Sequence, residues 1–320
     1  MAHVMVTGGC GFIGAWILRK LLDDGHRATV LDLEKVVRRW EMVLTPQEIA
    51  SVGYENVRID DPEQVKAAMA KLAPDAVIHL AGLQVPTCKA NPLLGARVNI
   101  LGTLAVFEAV LMLPKRPGLA FASSAAVFGS DADYDHRTVN DASQPLPGTH
   151  YGVYKRCNEL NAQVYWRDQR FPSVGLRPLT VYGPGRDVGM TSFPTRALAA
   201  AVLGQKFDVP FRGATAYTFV SEVAEYFVAG ALHPCSGAAA FTVGGDIVDV
   251  PTFLAVAAEV LPAVKDLVTC SGGDLPITSK LDGAELRRAY PQVKRVALRE
   301  GIRRTVEIFK RLAQAEKLAV

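Results

Sequence analysis

The sequence predicts an α/β protein: a doubly wound parallel sheet with a smaller C-terminal α/β portion. Short apolar runs alternate with amphipathic helical stretches through the first half. A glycine cluster separates the first apolar run from the first helix. The second half is punctuated by Gly and Pro and loses the alternation. With 320 residues, 49% of them hydrophobic and 21% charged, the chain can bury a large core and is not of the disordered class.

Residues 4–7 form a short apolar run that ends in glycines, as a buried strand does. Within 12–22, Ile13, Ile17, Leu18, Leu21 and Leu22 share one helical stripe. A second strand runs over 28–31 and ends at Asp32. Residues 63–72 read as a helix opened by Pro62. A strand follows at 76–80, and 95–113 reads as one long helix. The run 119–122 is strand-like and leads into serines. An amphipathic helix covers 151–170, and a short strand at 174–176 precedes Arg177-Pro178. Later helices are expected at 193–203, 221–232, 252–261 and 298–315, and a strand at 241–243. No internal repeat or low-complexity tract interrupts this pattern.

The segment from Thr7 to Gly14, TGGCGFIG, carries the first chemical signal. Glycines between a strand and a helix permit a tight turn, close approach of a pyrophosphate and close helix–strand packing. The helix N-terminus adds free N–H groups and a positive dipole end. Asp32 lies 32 − 14 = 18 residues past Gly14, near the ~20 expected of a ribose-binding acid. Loop, helix and acid together predict a Rossmann-type site for a nicotinamide dinucleotide. The carboxylate of Asp32 would accept from ribose hydroxyls and repel a 2′-phosphate, so NAD is expected over NADP.

Tyr151 and Lys155 are four residues apart on a predicted helix and share a face. Tyr290 and Lys294 repeat the spacing, but Pro291 interrupts that stretch, so it is read as chance. Ser123 and Ser124 follow a strand on the same sheet edge as the glycine loop. Tyrosine, with an ordinary pKa near ~10, is a poor base alone. A neighbouring ammonium and a positive nicotinamide ring both favour its phenolate. Tyr151 would then take a hydroxyl proton as hydride leaves for the cofactor.

The whole set resembles the extended short-chain dehydrogenase/reductase family, in its epimerase/dehydratase branch. The resemblance rests on TGGCGFIG, HLAG at His79, Asn99 with Gly102, SSAAVFG at Ser123, YGVYK at Tyr151, LRPLTVYGPG at Leu176, YTFVSEVA at Tyr217 and LREGIRRTVE at Leu298. It implies catalytic roles for Ser124, Tyr151 and Lys155. It implies cofactor contacts from Gly8, Gly11, Phe12, Ile13, Gly14, Asp32, Ile59, Leu80, Ala81, Gly82 and Asn99, with Tyr151 and Lys155. The substrate is expected to meet Ser123, Ser124, Gln84, Thr180 and Arg186. Residues 1–178 are expected to be mainly the NAD-binding domain and 179–320 mainly the substrate-binding portion, with 207–245 returning to the main sheet. A homodimer through the helices that carry Asn99 and Tyr151 is also implied.

Three departures from the family pattern bear on substrate. Arg58 stands where an adenine-contacting Asp is common, and is a candidate to stack on adenine. Ala125 and Ala126 stand where 4,6-dehydratases carry an acidic pair, which argues against that chemistry. Thr215 stands where nucleotide-sugar enzymes place a diphosphate-gripping arginine, with Arg212 nearby. The expected activity is hydride transfer at a secondary hydroxyl or keto carbon of a sugar-like substrate, by an NAD-dependent oxidoreductase/epimerase. The alternative is a net dehydrogenase of a free sugar, sugar acid or other small hydroxy compound. A non-catalytic NAD sensor is the minor alternative, since it has no need of serine, tyrosine and lysine together.

Bulk properties exclude other classes. Lys and Arg total 35 against 32 Asp and Glu, a net charge of +3 without long single-sign runs, so no nucleic-acid partner is expected. Arg38-Arg39 reads as a solvated pair. Apolar stretches such as 198–203 are too short for a bilayer, so no membrane is expected. The five cysteines are odd in number and show no CxxC spacing, which points to a reducing compartment and no metal site. Residues 3–6 lead straight into the glycine loop, with no room for a cleavable signal; a cytoplasmic enzyme is expected.

Overall fold

The computed structural model describes residues 1–320. Its main sheet uses β1 (His3–Thr7), β2 (Arg27–Asp32), β3 (Gly53–Asn56), β4 (Ala76–His79), β5 (Gly118–Ala122) and β6 (Ser173–Arg177). Beyond these lie β7 (Thr180–Tyr182), β8 (Phe207–Val209), β9 (Thr215–Phe219), β10 (Ala238–Thr242), β11 (Asp246–Val248) and β12 (Val268–Cys270). The seven-stranded order is β10-β6-β5-β4-β1-β2-β3, and every pairing in it is parallel. Parallel pairing demands crossovers, and these cover both faces with helices.

Side-chain alternation sorts the strands onto those faces. Val4, Val6, Ala76, Ile78 and Ala120 join one core with Ile17, Leu21, Val223 and Phe227 of the helices Phe12–Asp23 and Val220–Leu232. Met5, Val77, Leu119 and Phe121 join a second core with Val65, Met69, Val106 and Phe107 of Pro62–Leu72 and Gly102–Leu111. Pro62 occupies the first turn of its helix, and Asp61 caps it by accepting from the N–H groups of Glu63 and Gln64.

The expected long helix is present over Pro92–Leu111 but widens into a π-turn in its middle. The span 95–113 divides into Pro92–Ala96, a π-turn at Arg97–Leu101 and Gly102–Leu111. Asn99 explains it: its side chain turns inward and its amide donates to Gly95 O at 3.0 Å and Leu83 O at 3.3 Å. A polar side chain drawn into the helix ladder is a recognised cause of such a wide turn. The same region corrects the expectation that no apolar stretch is long enough to span a bilayer. Pro92–Leu111 has the length and a mean hydropathy of 1.5, and half of it is buried within the fold.

Within 207–245, only β10 enters the main sheet, beside β6, and the helix Val220–Leu232 packs on that sheet. β9 lies between β7 and β11 in a three-stranded sheet, and β8 pairs with β12. The final helix, Leu298–Gln314, buries Ile302, Val306, Phe309 and Leu312 at helical spacing. Arg58 is exposed and ion-paired to Asp60 at 3.0 Å.

Glu222, in the first turn of Val220–Leu232, is 5% exposed and accepts only from Val296 N, at 2.9 Å. Burial pushes its carboxyl up from 4.5 to about 7. A raised carboxyl gives stability that is full below pH 4.5 and is lost as pH rises through about 7. Glu222→Gln should therefore stabilise the fold on the order of 2 kcal/mol above neutrality. Denaturant melts at several pH values should show that gain vanish in acid.

Candidate active site

A cleft of about 1140 Å³ opens at the carboxyl ends of β1, β4, β5 and β6. That exceeds the roughly 300–1,000 Å³ of an ordinary ligand pocket and suits a dinucleotide together with a substrate. Gly8, Gly11, Phe12, Ile13 and Gly14 line one end, with Asp32, Ile59, Leu80, Ala81 and Gly82. Gly8 has φ +67°, and a Cβ there would fall 2.7 Å from Ala81 N. A Cβ on Gly14 would fall 2.5 Å from Gly9 O, so only glycine lets the helix sit this close to the loop.

These residues fit a dinucleotide. The helix Phe12–Asp23 has no side-chain cap and no acid in its first turn, which leaves its N-terminal N–H groups for phosphate oxygens. Asp32, half-buried, accepts from Cys10 N at 3.1 Å and Leu33 N at 2.9 Å, which aims its carboxylate at the rim of the cleft. Cys10 is buried, and burial raises its thiol to about 11, so it is a loop filler and not a reactive thiolate. Asn99 does not line the cleft. It stands directly behind Gly82, where a Cβ would fall 2.6 Å from Asn99 Oδ1.

Ser124, Tyr151 and Lys155 come together on the wall of the cleft. Thr149 caps the helix His150–Gln169, which sets Tyr151 in its first turn. Lys155 Nζ lies 5.6 Å from the Tyr151 ring centroid and donates to Ala122 O at 2.7 Å. Burial lowers the Lys155 ammonium to about 8. Burial also raises the Tyr151 phenol, opposed by a hydrogen bond with the Ser124 hydroxyl and by the charge of Arg186. Ser124 Oγ accepts from Ala126 N at 3.1 Å, which fixes its orientation.

Two expected substrate ligands are turned elsewhere. Ser123 lines the cleft, but its hydroxyl donates to buried Glu159 at 2.6 Å. Thr180 is fully buried and its hydroxyl pairs with Thr215 at 2.8 Å. For Thr180 the cause is strand geometry: consecutive side chains of β7 face opposite ways, and its neighbours Leu179 and Val181 line the cleft instead. Arg212 lies outside the cleft and donates to Cys270 O at 3.2 Å. Gln84 and Arg186 do line it.

Among the remaining candidates, His79 is buried between Thr7 and Thr103, and burial lowers it to about 3. His150 is exposed, and Arg196 stacks on Phe193 and Phe207. Tyr290 is buried against His233 O, away from the cleft. Reading the sequence missed Val57, Thr191 and the wall formed by Pro276, Ile277 and Thr278. Alternation around Arg58 was a usable signal for Val57. Nothing local marks residues 276–278, which Asp131 holds in place by accepting from Ser279 N at 2.8 Å and Ser279 Oγ at 2.6 Å.

The chain is similar to UDP-glucose 4-epimerase of Mycolicibacterium smegmatis, at 28% identity over 98% of this chain and 100% of that one. It is similar to D-erythronate dehydrogenase of Cupriavidus necator, at 31% identity over 55% of this chain and 56% of that one. Its fold is similar to that of UDP-glucose 4-epimerase of Thermus thermophilus, solved with NAD, with a TM-score of 0.80 and 27% identity over 96% of this chain and 99% of that one. The pattern of the NAD dependent epimerase/dehydratase family matches residues 4–244, and the chain belongs to that family of enzymes.

Proposed function

We propose that this NAD-dependent enzyme transfers hydride at a secondary hydroxyl or keto carbon of a sugar-like substrate, with Tyr151 as general base. The observation that carries this reading is the meeting of Ser124, Tyr151 and Lys155 in the cleft that begins at the glycine loop. Gly8, Gly11, Phe12, Ile13 and Gly14 would hold the pyrophosphate, and Asp32 the adenosine ribose. Ile59, Leu80, Ala81 and Gly82 would flank a bound dinucleotide, with Asn99 supporting Gly82 from behind. When bound, NAD supplies the hydride acceptor and a positive ring. Ser124 holds the substrate oxygen, and Tyr151 Oη takes its proton. Lys155 favours the phenolate by its charge and would hold the nicotinamide ribose of a bound dinucleotide. Residues 1–178 thus act mainly on the cofactor, and 179–320 contribute Arg186, Thr191 and the 276–278 wall to the substrate side.

An epimerase returns the hydride to the other face of its keto intermediate, and a net dehydrogenase releases that intermediate. The half-reaction is common to both. The similarity to D-erythronate dehydrogenase keeps the second in view. A non-catalytic sensor has no use for the assembled Ser124, Tyr151 and Lys155. The chain is also proposed to form a homodimer. Leu93, Leu101, Val153, Leu160 and Val164 are exposed on the two helical segments around Asn99 and Tyr151, and a paired copy would cover them.

Tyr151→Phe should keep NAD affinity and lose about 10²–10⁴-fold in turnover. Near-normal turnover in that variant would sink the assignment. Calorimetric titration should give tighter binding of NAD than of NADP, and Asp32→Ala should narrow the gap. The reverse order in the unaltered protein would overturn the role given to Asp32. Light scattering should report a dimer, and a monomer for Leu160→Glu combined with Val164→Glu.

A further inference from the structure

The cleft holds little free positive charge on its substrate side. Its cationic residues are Arg39, Lys89, Lys155 and Arg186. Arg39 is engaged by Asp187 at 2.7 Å and Gly185 O at 3.3 Å. Lys155 is bonded to Ala122 O, and Lys89 is exposed on the helix Val85–Ala90.

Arg186 is in a different condition. Its Nη2 donates to Thr191 Oγ1 at 3.0 Å, and its Nε is buried with no partner. The acid beside it in sequence, Asp187, turns to Arg38 and Arg39 instead. Gln84 converges on the same spot: a Cβ placed on Gly189 would lie 2.8 Å from Gln84 Oε1 and 3.2 Å from Arg186 Nη2. The guanidinium is also near enough to Tyr151 to favour its phenolate. This half-buried guanidinium, 5.9 Å from the Phe12 ring centroid, has no carboxylate partner, and its planar fork matches one carboxylate in two parallel hydrogen bonds.

A nucleotide diphosphate asks for more than this. It carries charge on two phosphates, and the positions that would grip it are otherwise occupied. Thr215 is buried against Thr180, and Arg212 lies outside the cleft.

We propose that the substrate is a free polyhydroxy carboxylic acid, with its carboxylate held by Arg186 beside Gln84, and that nucleotide sugars are not substrates. This names the substrate class for the hydride-transfer reading and rests on it for the reaction, though not for the binding. The NAD-loaded protein is titrated by calorimetry with a panel of aldonates and uronates, the matching neutral sugars, UDP-glucose and UDP-glucuronate. Each is also assayed for reduced nicotinamide and for a new epimer by NMR. The tightest ligand should be one of the free acids. Arg186→Gln should weaken it on the order of 10–100-fold and Arg186→Lys by less, with NAD affinity unchanged in both. The proposal is overturned if a UDP-sugar binds more tightly than every free acid, or if Arg186→Gln leaves acid binding intact. An acid that binds through Arg186 but yields neither product overturns hydride transfer and upholds the carboxylate site. Turnover of a neutral or nucleotide sugar that survives Arg186→Gln does the opposite.

Discussion

The helix His150–Gln169 is fastened to the sheet by directional polar bonds, and the active site inherits its register from them. Its inward face presents Lys155, Asn158, Glu159 and Ala162. Lys155 bonds to the end of β5, and Asn158 donates to Asn99 O at 2.9 Å within the π-turn. Glu159 receives Arg177 at the end of β6, Ser123 and Arg156. Burial alone would raise the Glu159 carboxyl, but Arg177 and these partners hold it below its ordinary value. An apolar stripe tolerates sliding, whereas a buried ion pair that loses one partner costs about 3–5 kcal/mol. Tyr151, one turn before Lys155, therefore has one place to stand.

A second set of bonds ties the two ends of the cleft together. Thr7, at the end of β1, meets His79 Nδ1 at 2.7 Å, and His79 Nε2 meets Thr103 Oγ1 at 3.0 Å. Asn158 donates to the same Thr103 hydroxyl at 3.0 Å. A continuous chain thus runs from the glycine loop to the helix that carries Tyr151. Burial lowers His79 to about 3, so this chain keeps its charge state across the neutral range. Titration in the cleft is left to groups that face it.

The first half of the fold was legible because its signals are local. Glycines at Gly8, Gly11 and Gly14, the helical stripe ending at Leu22 and the strand ending at Asp32 each meet a steric or periodic demand within a few residues. Ser124, Tyr151 and Lys155 were legible for the same reason, through strand-end position and helical spacing. The misses lie where a neighbour far along the chain decides. Asn99 widens its helix because Leu83 and Asn158 bond to it, and the apolar pattern of that segment carries no trace of either. Ser123 does line the cleft, but Glu159 sets the direction of its hydroxyl, and Thr215 that of Thr180. The 276–278 wall depends on Asp131, more than a hundred residues earlier.

The placement of β10 beside β6 has a consequence for the chain as it is made. Synthesis delivers the glycine loop, the Tyr151 helix and β6 first, while β10 is still to come. Until residue 242 is available, β6 is an open edge of a growing sheet, with backbone donors and acceptors ready to pair with another chain. The nascent chain thus has its dinucleotide loop before β10 takes over from β6 as the edge of the sheet. A dinucleotide bound at that stage would stabilise the folded portion by mass action and so serve as a folding aid before it serves in turnover.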